Sequence, residues 1–268
     1  MAAAVRAAAR HGYVVADPVL VQETNNTVVW LRPHEIIAKV GTRAHSEEAL
    51  RREHAVAKIL AATGAPIAPP MPDAEPIRDE LTGFLVTLWR RLEHDAAREP
   101  SPVDVAGALR RLHVGLSRYR GELPNFREGV RRARATLDDD RLMVALARDD
   151  RSTLRRAYDR VSTVLDTRQL AERALHGEPH MDNALVTTNG VRWVDLEAVC
   201  VGPLEWDVAF LPEETARLFT EVDAVLLGLL RTLNSARVAT WCWAQADVGD
   251  MRKHGEYHLE QVRLAESR

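Results

Sequence analysis

The sequence is poor in cysteine and in long apolar runs, and both scarcities exclude classes of protein. Cys200 and Cys242 are the two cysteines among 268 residues. They form no CxxC pair, so the sequence predicts neither a disulfide framework nor a zinc site. No stretch approaches the roughly 20 consecutive apolar residues that span a bilayer. The segment 1–10 is rich in alanine but lacks the apolar centre of a secretory signal, which predicts a cytoplasmic protein.

Lysine is also scarce, although the chain is well supplied with positive charge. It occurs at positions 39, 58 and 253, whereas arginine provides the other 33 of the 36 basic residues. With 39 acidic residues the formal net charge is −3. This balance argues against nucleic acid as a partner, because neutralising its phosphates requires a basic face. The composition, 46% hydrophobic and 28% charged, is typical of a soluble globular protein with one large domain or two lobes.

The segment 176–197 combines a polar loop, a predicted hairpin and a final carboxylate. Asn189-Gly190 separates two short apolar runs, residues 184–186 and 191–194. An Asn-Gly pair in this position predicts a two-residue β-turn. Because a hairpin returns the chain to its starting point, we expect the residues before and after it to lie close together.

Three polar side chains flank this hairpin in an order that suits phosphoryl transfer. Asn183 precedes it and Asp195 follows it, so that an amide oxygen and a carboxylate converge. Oxygen ligands of this kind are those that Mg²⁺ prefers. Glu178, five residues before Asn183, lies where a base reaches a substrate hydroxyl. The sequence therefore predicts Asn183 and Asp195 as metal ligands and Glu178 as the catalytic base.

The same run resembles the catalytic and metal loops of the aminoglycoside phosphotransferase family, small-molecule kinases of the protein-kinase-like fold. That family has the pattern His-Gly-Asp-x-His-x-x-Asn, then a hairpin, then Asp-Phe or Asp-Leu-Glu. Five residues match it in identity and order: His176, Gly177, His180, Asn183 and Asp195. One position departs from it, because Glu178 replaces the catalytic aspartate with a side chain one methylene longer.

The resemblance implies transfer of the γ-phosphoryl group of ATP or GTP, with Mg²⁺, to a hydroxyl of a small molecule. Asp195 would bind the metal that bridges the β- and γ-phosphates, and Asn183 the same metal or a second one. His176 and His180 would shape the loop. Glu197, two residues beyond Asp195 on the same face of an expected extended segment, would assist the metal or face the acceptor.

Lys39 lies in an apolar strand, residues 36–40, and resembles the lysine that holds the α- and β-phosphates in kinase-like enzymes. The alternative is an edge-strand lysine that reaches water. Glu53 is the best candidate for its partner, on a helix predicted over residues 46–60. Glu47 and Glu48 lie closer to the helix start and are expected to be solvated.

Two further segments are predicted to contact the nucleotide. The loop 22–27 takes the place of a glycine-rich phosphate loop but contains no glycine, and Asn25, Asn26 and Thr27 are its candidate contacts. An ordinary hairpin turn explains the same residues equally well. Trp89 and Leu92 fall in the predicted hinge, whose backbone geometry would set the preference between ATP and GTP.

The predicted fold class is α+β and bilobal, like the protein kinases. We expect a β-rich nucleotide-binding lobe over residues 1–88, a hinge at 89–94, and a helical lobe over 95–268 that carries the catalytic hairpin and the acceptor pocket. Two alternatives remain open: a catalytically impaired nucleotide-binding protein, and a zinc hydrolase built on His176 and His180. The resemblance implies an acceptor such as an aminoglycoside or another antibiotic, but the sequence itself identifies neither the acceptor nor the oligomeric state.

Overall fold

The computed structural model describes residues 1–23, 26–43 and 46–267. The chain divides into two compact units, each built from two segments of the sequence. Unit 1 comprises Met1–Glu122 and Glu178–Val199, and unit 2 comprises Leu123–Gly177 and Cys200–Arg268. The placement of a lobe boundary at residues 89–94 stays a prediction.

A five-stranded antiparallel sheet forms the centre of unit 1, with the strand order β1-β2-β3-β5-β4. Its strands are β1 (Asp17–Glu23), β2 (Thr27–Arg32), β3 (Ile36–Gly41), β4 (Ile77–Arg78) and β5 (Leu85–Arg90). β3 lies between β2 and β5, with Lys39 opposite Val28 on one side and Thr87 on the other. The predicted lysine is therefore on a central strand, which removes the edge-strand alternative.

Three helices accompany this sheet: α1 (Ala2–Arg10), α2 (Ser46–Ala62) and α3 (Pro102–Leu116). Four buried alanines of α1 join the apolar core of the sheet, where small side chains allow the helix to lie close to the strands. At the end of α3, a Cβ on Gly115 would lie 2.8 Å from Leu60 Cδ2 and 2.9 Å from Ala65 Cβ. Glycine at this position permits the close packing of α3 against α2 and the loop that follows it.

The predicted hairpin is present as β7 (Ala184–Thr187) and β8 (Gly190–Trp193). Thr188 and Asn189 join the strands, one residue earlier than predicted, and Gly190 begins β8 with φ +86°. Sequence analysis placed it in the helical half of the chain. It lies in unit 1 because β8 bonds to the segment after α2: the Trp193 amide donates to Pro66 O at 2.8 Å, and the Ala68 amide donates to Trp193 O at 3.0 Å.

Unit 2 is mostly helical. It contains α4 (Phe126–Asp138), α5 (Arg148–Thr167), α6 (Leu204–Val208), α7 (Glu213–Ala216), α8 (Ala224–Trp243) and α9 (Met251–Glu266), with β6 (Glu172–Leu175) paired antiparallel to β9 (Cys200–Pro203). Trp206 and Trp243 are buried in its core. A five-stranded antiparallel sheet followed by a helical part confirms the predicted α+β class. None of the helices in the described ranges has the length and apolarity that a membrane span requires.

A bidentate ion pair attaches α1 to the rest of unit 1. Arg6 donates from Nε and Nη2 to the two carboxylate oxygens of Asp79, each at 2.7 Å, and Thr82 donates to the same carboxylate through its amide and hydroxyl. The Asp79 side chain is only 3% exposed. The hydrogen bond from Arg6, followed by those from Thr82, holds the pKa of Asp79 well below its ordinary value.

We expect Asp79→Asn to lower the urea midpoint of unfolding at pH 7, because it removes a charge-assisted pair. A carboxylate whose pKa is depressed in the folded state stabilises the protein above its ordinary pKa of 3.8, and this contribution declines as the pH falls below that value. The difference in urea midpoint between Asp79→Asn and the wild type should therefore become smaller from pH 7 to about pH 3. Glu80→Gln, at a side chain 85% exposed, is the control and should change the midpoint little. An equal effect of both variants at pH 7 would contradict the role of Asp79.

Candidate active site

Lys39 is the centre of a buried charge cluster in unit 1. Its Nζ lies 3.0 Å from Glu53 Oε2 and 2.7 Å from Asp195 Oδ1, and it also contacts the carboxylate of Glu197. The side chains of Lys39 and Glu53 are 10% and 3% exposed. The structure thus brings together Lys39, Glu53 and Asp195, which are separated by up to 156 positions in the sequence.

The charges in this cluster depend on one another. Burial alone would lower the pKa of Lys39, but attraction to Glu53, Asp195 and Glu197 outweighs it and raises the pKa above its ordinary value. Burial raises the pKa values of Glu53 and Glu197, and the Lys39 ammonium opposes that shift. Lys39 is therefore a fixed positive charge at neutral pH, held among carboxylates that burial makes costly to ionise without it.

Lys39→Met should destabilise the fold strongly, because it leaves Glu53 buried without a counter-charge. Breaking a buried ion pair from one side costs about 3 kcal/mol. We expect the double variant Lys39→Met/Glu53→Gln to recover part of that loss in urea unfolding, since it removes the orphaned carboxylate. Lys58→Met is the matched control, at an ammonium 51% exposed and paired with Glu75. A Lys39→Met midpoint no lower than that of the control would refute the buried pair.

Asp195 adopts a left-handed backbone conformation, with φ 61° and ψ 64°. Non-glycine residues rarely adopt this conformation, and they concentrate at functional sites where neighbouring groups hold them. One such group is Glu53, whose Oε1 accepts the amide of Leu196 at 2.9 Å. Glu53 therefore both pairs with Lys39 and fixes the backbone directly after Asp195.

Glu197 reaches the cluster by a different route from the one expected. The segment after Asp195 is not extended: Leu196–Ala198 forms a 3₁₀ turn. The turn brings the Glu197 carboxylate to Lys39 and to the amide group of Asn26, while Arg52 Nη2 donates to Glu197 O at 3.3 Å. Of the described residues, Glu53, Asp195 and Glu197 form a group of potential metal ligands, with one oxygen of each within 4.8 Å of the others.

The other predicted metal ligand, Asn183, is buried on the loop before the hairpin. Its Nδ2 donates to Glu178 O at 3.0 Å and lies 3.1 Å from His180 Nε2. Both contacts are made by Nδ2, and no described residue donates a hydrogen bond to Asn183 Oδ1. Glu178, the predicted base, is half-buried and begins the same loop. No described group of three potential metal ligands includes His176 or His180, so the zinc alternative receives no support.

The two residues before Glu178 belong to unit 2 and are anchored there by Asp207. Asp207 is fully buried, and its carboxylate accepts the amides of His176 at 2.9 Å and Gly177 at 2.8 Å. Trp206 Nε1 donates to Gly177 O at 3.1 Å. Asp207 therefore holds the backbone of His176 and Gly177 by hydrogen bonds.

The predicted phosphate loop is shorter than expected, because β1 continues to Glu23 and β2 begins at Thr27. Asn25 lies outside the described residues. Asn26 is buried, with its side-chain amide on Glu197. Thr27 is also buried and is paired in the sheet with Glu23 and Val40. Asn26 is thus the described residue of this loop that touches the charge cluster.

The predicted hinge contacts lie at the end of β5. Trp89 is still within the strand and is 8% exposed; its Nε1 donates to Thr87 Oγ1 at 2.8 Å, and its ring packs edge-on against His54. Leu92 follows the strand and is half-buried. Their nucleotide contacts stay predictions.

Comparisons with known proteins cover most of the chain. The model of a phosphotransferase enzyme family, APH, matches residues 19–258. A search of curated protein sequences finds no significant match.

Among solved structures, three kinases share the fold. Amicoumacin kinase in complex with AMP-PNP, Ca²⁺ and Ami has a TM-score of 0.69 at 13% identity, covering 91% of this chain and 87% of that one. The choline kinase LicA of Streptococcus pneumoniae has a TM-score of 0.69 at 13% identity, covering 97% of this chain and 96% of that one. A choline/ethanolamine kinase family protein of Mesorhizobium loti has a TM-score of 0.66 at 18% identity, covering 94% of this chain and 89% of that one.

Proposed function

Because the chain belongs to the phosphotransferase enzyme family, we propose that it transfers the γ-phosphoryl group of ATP or GTP to a hydroxyl of a small molecule. The observation that carries the proposal is the buried cluster of Lys39, Glu53, Asp195 and Glu197 in unit 1. Such a cluster joins a fixed positive charge for phosphate oxygens to carboxylates for a divalent cation.

The donor set suits Mg²⁺. Asp195 and Glu197 offer carboxylate oxygens and Asn183 an amide oxygen, and hard cations prefer these oxygen ligands. Bound there, Mg²⁺ would neutralise charge on the transferred phosphoryl group. In this proposal the Asp195 side chain, which is 47% exposed, binds the metal, with Asn183 and Glu197 as further ligands.

Lys39 would bind the α- and β-phosphates, with Glu53 holding its ammonium in place. Asn26 and Thr27 would contact the phosphates, and Trp89 and Leu92 would lie beside the base. Glu178 would accept the proton of the acceptor hydroxyl as the hydroxyl oxygen bonds to the γ-phosphorus, while the bond from that phosphorus to the β–γ bridging oxygen breaks and ADP or GDP leaves. Positioning and charge neutralisation provide most of the catalysis in such transfers, so a carboxylate one methylene longer remains a competent base when the acceptor is held to suit it.

The acceptor we propose is a small hydroxylated compound, and the structural relatives define a first panel. They include a spectinomycin phosphotransferase bound to ADP and spectinomycin, a kanamycin complex of an aminoglycoside phosphotransferase, and the choline kinases. An antibiotic would imply a resistance role, and choline or another amino-alcohol a biosynthetic one.

The test is transfer of label from γ-labelled ATP or GTP, with Mg²⁺, to spectinomycin, kanamycin, amicoumacin, choline and ethanolamine. Labelled product that depends on Glu178 supports the proposal. Tight nucleotide binding with no product from any hydroxylated acceptor would favour the alternative of a catalytically impaired nucleotide-binding protein. No feature of residues 1–23, 26–43 or 46–267 favours that alternative at present.

A further inference from the structure

Unit 1 contains a cavity that the charge cluster does not use. It has a volume of about 460 Å³ and lies between the end of α2, the segment Arg90–Glu93 after β5, and the β7–β8 turn. This volume is within the range of small-molecule sites, about 300–1,000 Å³. None of Lys39, Glu53, Asp195 and Glu197 lines it. Ala61, which does, is about 12 Å further along α2 than Glu53 at the helical rise per residue.

The lining of this cavity is strongly asymmetric in charge. The lining contains three arginines, Arg90, Arg91 and Arg192, and one acidic residue, Glu93. This excess is unexpected in a chain whose net charge is −3. The cavity is therefore a local positive site on a protein that is otherwise slightly acidic.

The three arginines differ in what they already bind. Arg91 is committed, since its Nη1 donates to Glu35 Oε2 at 2.6 Å and its guanidinium lies 3.9 Å from the centre of the Trp30 ring. The guanidinium groups of Arg90 and Arg192 have no hydrogen bond or ion pair with any described residue. Two guanidinium groups, each with several N–H donors in one plane, thus line one cavity, and no described residue accepts a hydrogen bond from either of them.

The remaining lining is suited to an organic anion rather than to a bare ion. Thr188 and Asn189, in the β7–β8 turn, supply a hydroxyl and an amide. Ala65 and Ile67 are buried and supply an apolar wall. A ligand with an anionic group on a small apolar body would satisfy both parts of this surface.

We propose that this cavity binds a small organic anion, a phosphate monoester or a carboxylate, through Arg90 and Arg192. Arginine binds either group with two parallel hydrogen bonds, so the shared chemistry is a planar or tetrahedral oxyanion. Such binding does not depend on the proposed phosphotransferase activity, although the cavity shares Leu92 with the proposed nucleotide site. It would contact α2, which carries Glu53, and the β7–β8 hairpin, which ends two residues before Asp195, so the ligand has a physical route to change nucleotide affinity.

The test is calorimetric titration of the full chain with phenyl phosphate and with benzoate, and with uncharged benzyl alcohol as the ligand control. We expect saturable binding of at least one anion in the millimolar range or tighter, and none of the alcohol. The tighter of the two anions identifies the preferred group. Absence of saturable binding of both anions to the wild type would overturn the proposal.

Three variants locate the site. Arg90→Ala/Arg192→Ala should weaken anion binding at least about tenfold, since it removes both charge-assisted contacts. Arg98→Ala/Arg118→Ala loses the same charge from exposed positions outside the cavity and should bind as the wild type does. Lys58→Met, at an exposed ammonium outside the cavity, should leave binding unchanged.

A fourth variant guards against misfolding. Arg90→Lys/Arg192→Lys keeps both charges but loses the two-pronged geometry, so its affinity should fall between those of the wild type and the alanine variant. Equal urea midpoints for the four variants would show that the differences in affinity come from binding and not from misfolding. Wild-type affinity in both the lysine and the alanine variants would refute the two arginines as ligands.

Discussion

Asp195→Ala is expected to reduce turnover by at least about 1,000-fold, equivalent to about 4 kcal/mol in the barrier. Asp195 is a predicted metal ligand whose carboxylate also contacts Lys39, so its loss removes both a cation ligand and a partner of the lysine. The fold should survive, because the side chain is 47% exposed and lies outside the apolar core. Initial rates at saturating Mg²⁺ and nucleotide measure the effect.

Two further variants separate the charge from the backbone at this position. Alanine tolerates the left-handed conformation poorly, at a cost of about 1 kcal/mol, whereas asparagine tolerates it well. Asp195→Asn should therefore keep the wild-type stability and still lose most of the turnover. Asp182→Ala, at a neighbouring side chain 98% exposed, should stay near wild type. Turnover of Asp195→Ala within about tenfold of wild type, or about 1.4 kcal/mol, would refute the metal assignment.

Glu178→Gln is expected to lower turnover by about 100- to 10,000-fold and to leave nucleotide affinity unchanged. The amide matches the carboxylate in size but cannot accept a proton, so the loss should appear in kcat and not in the nucleotide KM. Single-turnover rates with a saturating acceptor isolate the chemical step. A matching loss of nucleotide affinity would mean that Glu178 holds the metal rather than the acceptor proton.

Glu178→Asp tests whether the longer side chain matters. The shorter carboxylate restores the residue that the family pattern has at this position. If the acceptor is positioned for glutamate, turnover of Glu178→Asp should fall by about tenfold or more, since a small misplacement of a reacting group slows the reaction strongly. Full activity of Glu178→Asp would show that the carboxylate suffices at either length.

Local patterns in the sequence were sufficient for the parts of the fold that depend on neighbouring residues. Asn189-Gly190 indicated the β7–β8 turn, in which Thr188 and Asn189 connect the strands and Gly190 takes the positive φ of +86° that glycine tolerates. The pairing of Lys39 with Glu53 was also accessible, since a strand and the helix that follows it pack together over 14 residues of sequence. The α+β class followed from the same succession of strands and helices.

Contacts between distant segments were not accessible from these patterns. Glu197 contacts Lys39 because Asp195 is left-handed and the next residues form a 3₁₀ turn. The Glu53 carboxylate, 143 positions before Leu196, accepts the Leu196 amide in that turn. The hairpin joins unit 1 through backbone bonds between Trp193 and the segment after α2, which no side-chain periodicity encodes. Pro66 and Ala68, which make those bonds, fall in a proline-rich stretch that predicts only a break in helix or strand.

The most direct test of the proposed site is calorimetric titration of the wild type and Asp195→Asn with ATP and with GTP, each with and without Mg²⁺. We predict that the wild type binds at least one nucleotide, that Mg²⁺ tightens the binding by about tenfold or more, and that this gain disappears in Asp195→Asn. Failure of both nucleotides to bind the wild type, or an undiminished Mg²⁺ gain in the variant, would contradict the assignment of Lys39, Asp195 and their neighbours as a nucleotide and metal site.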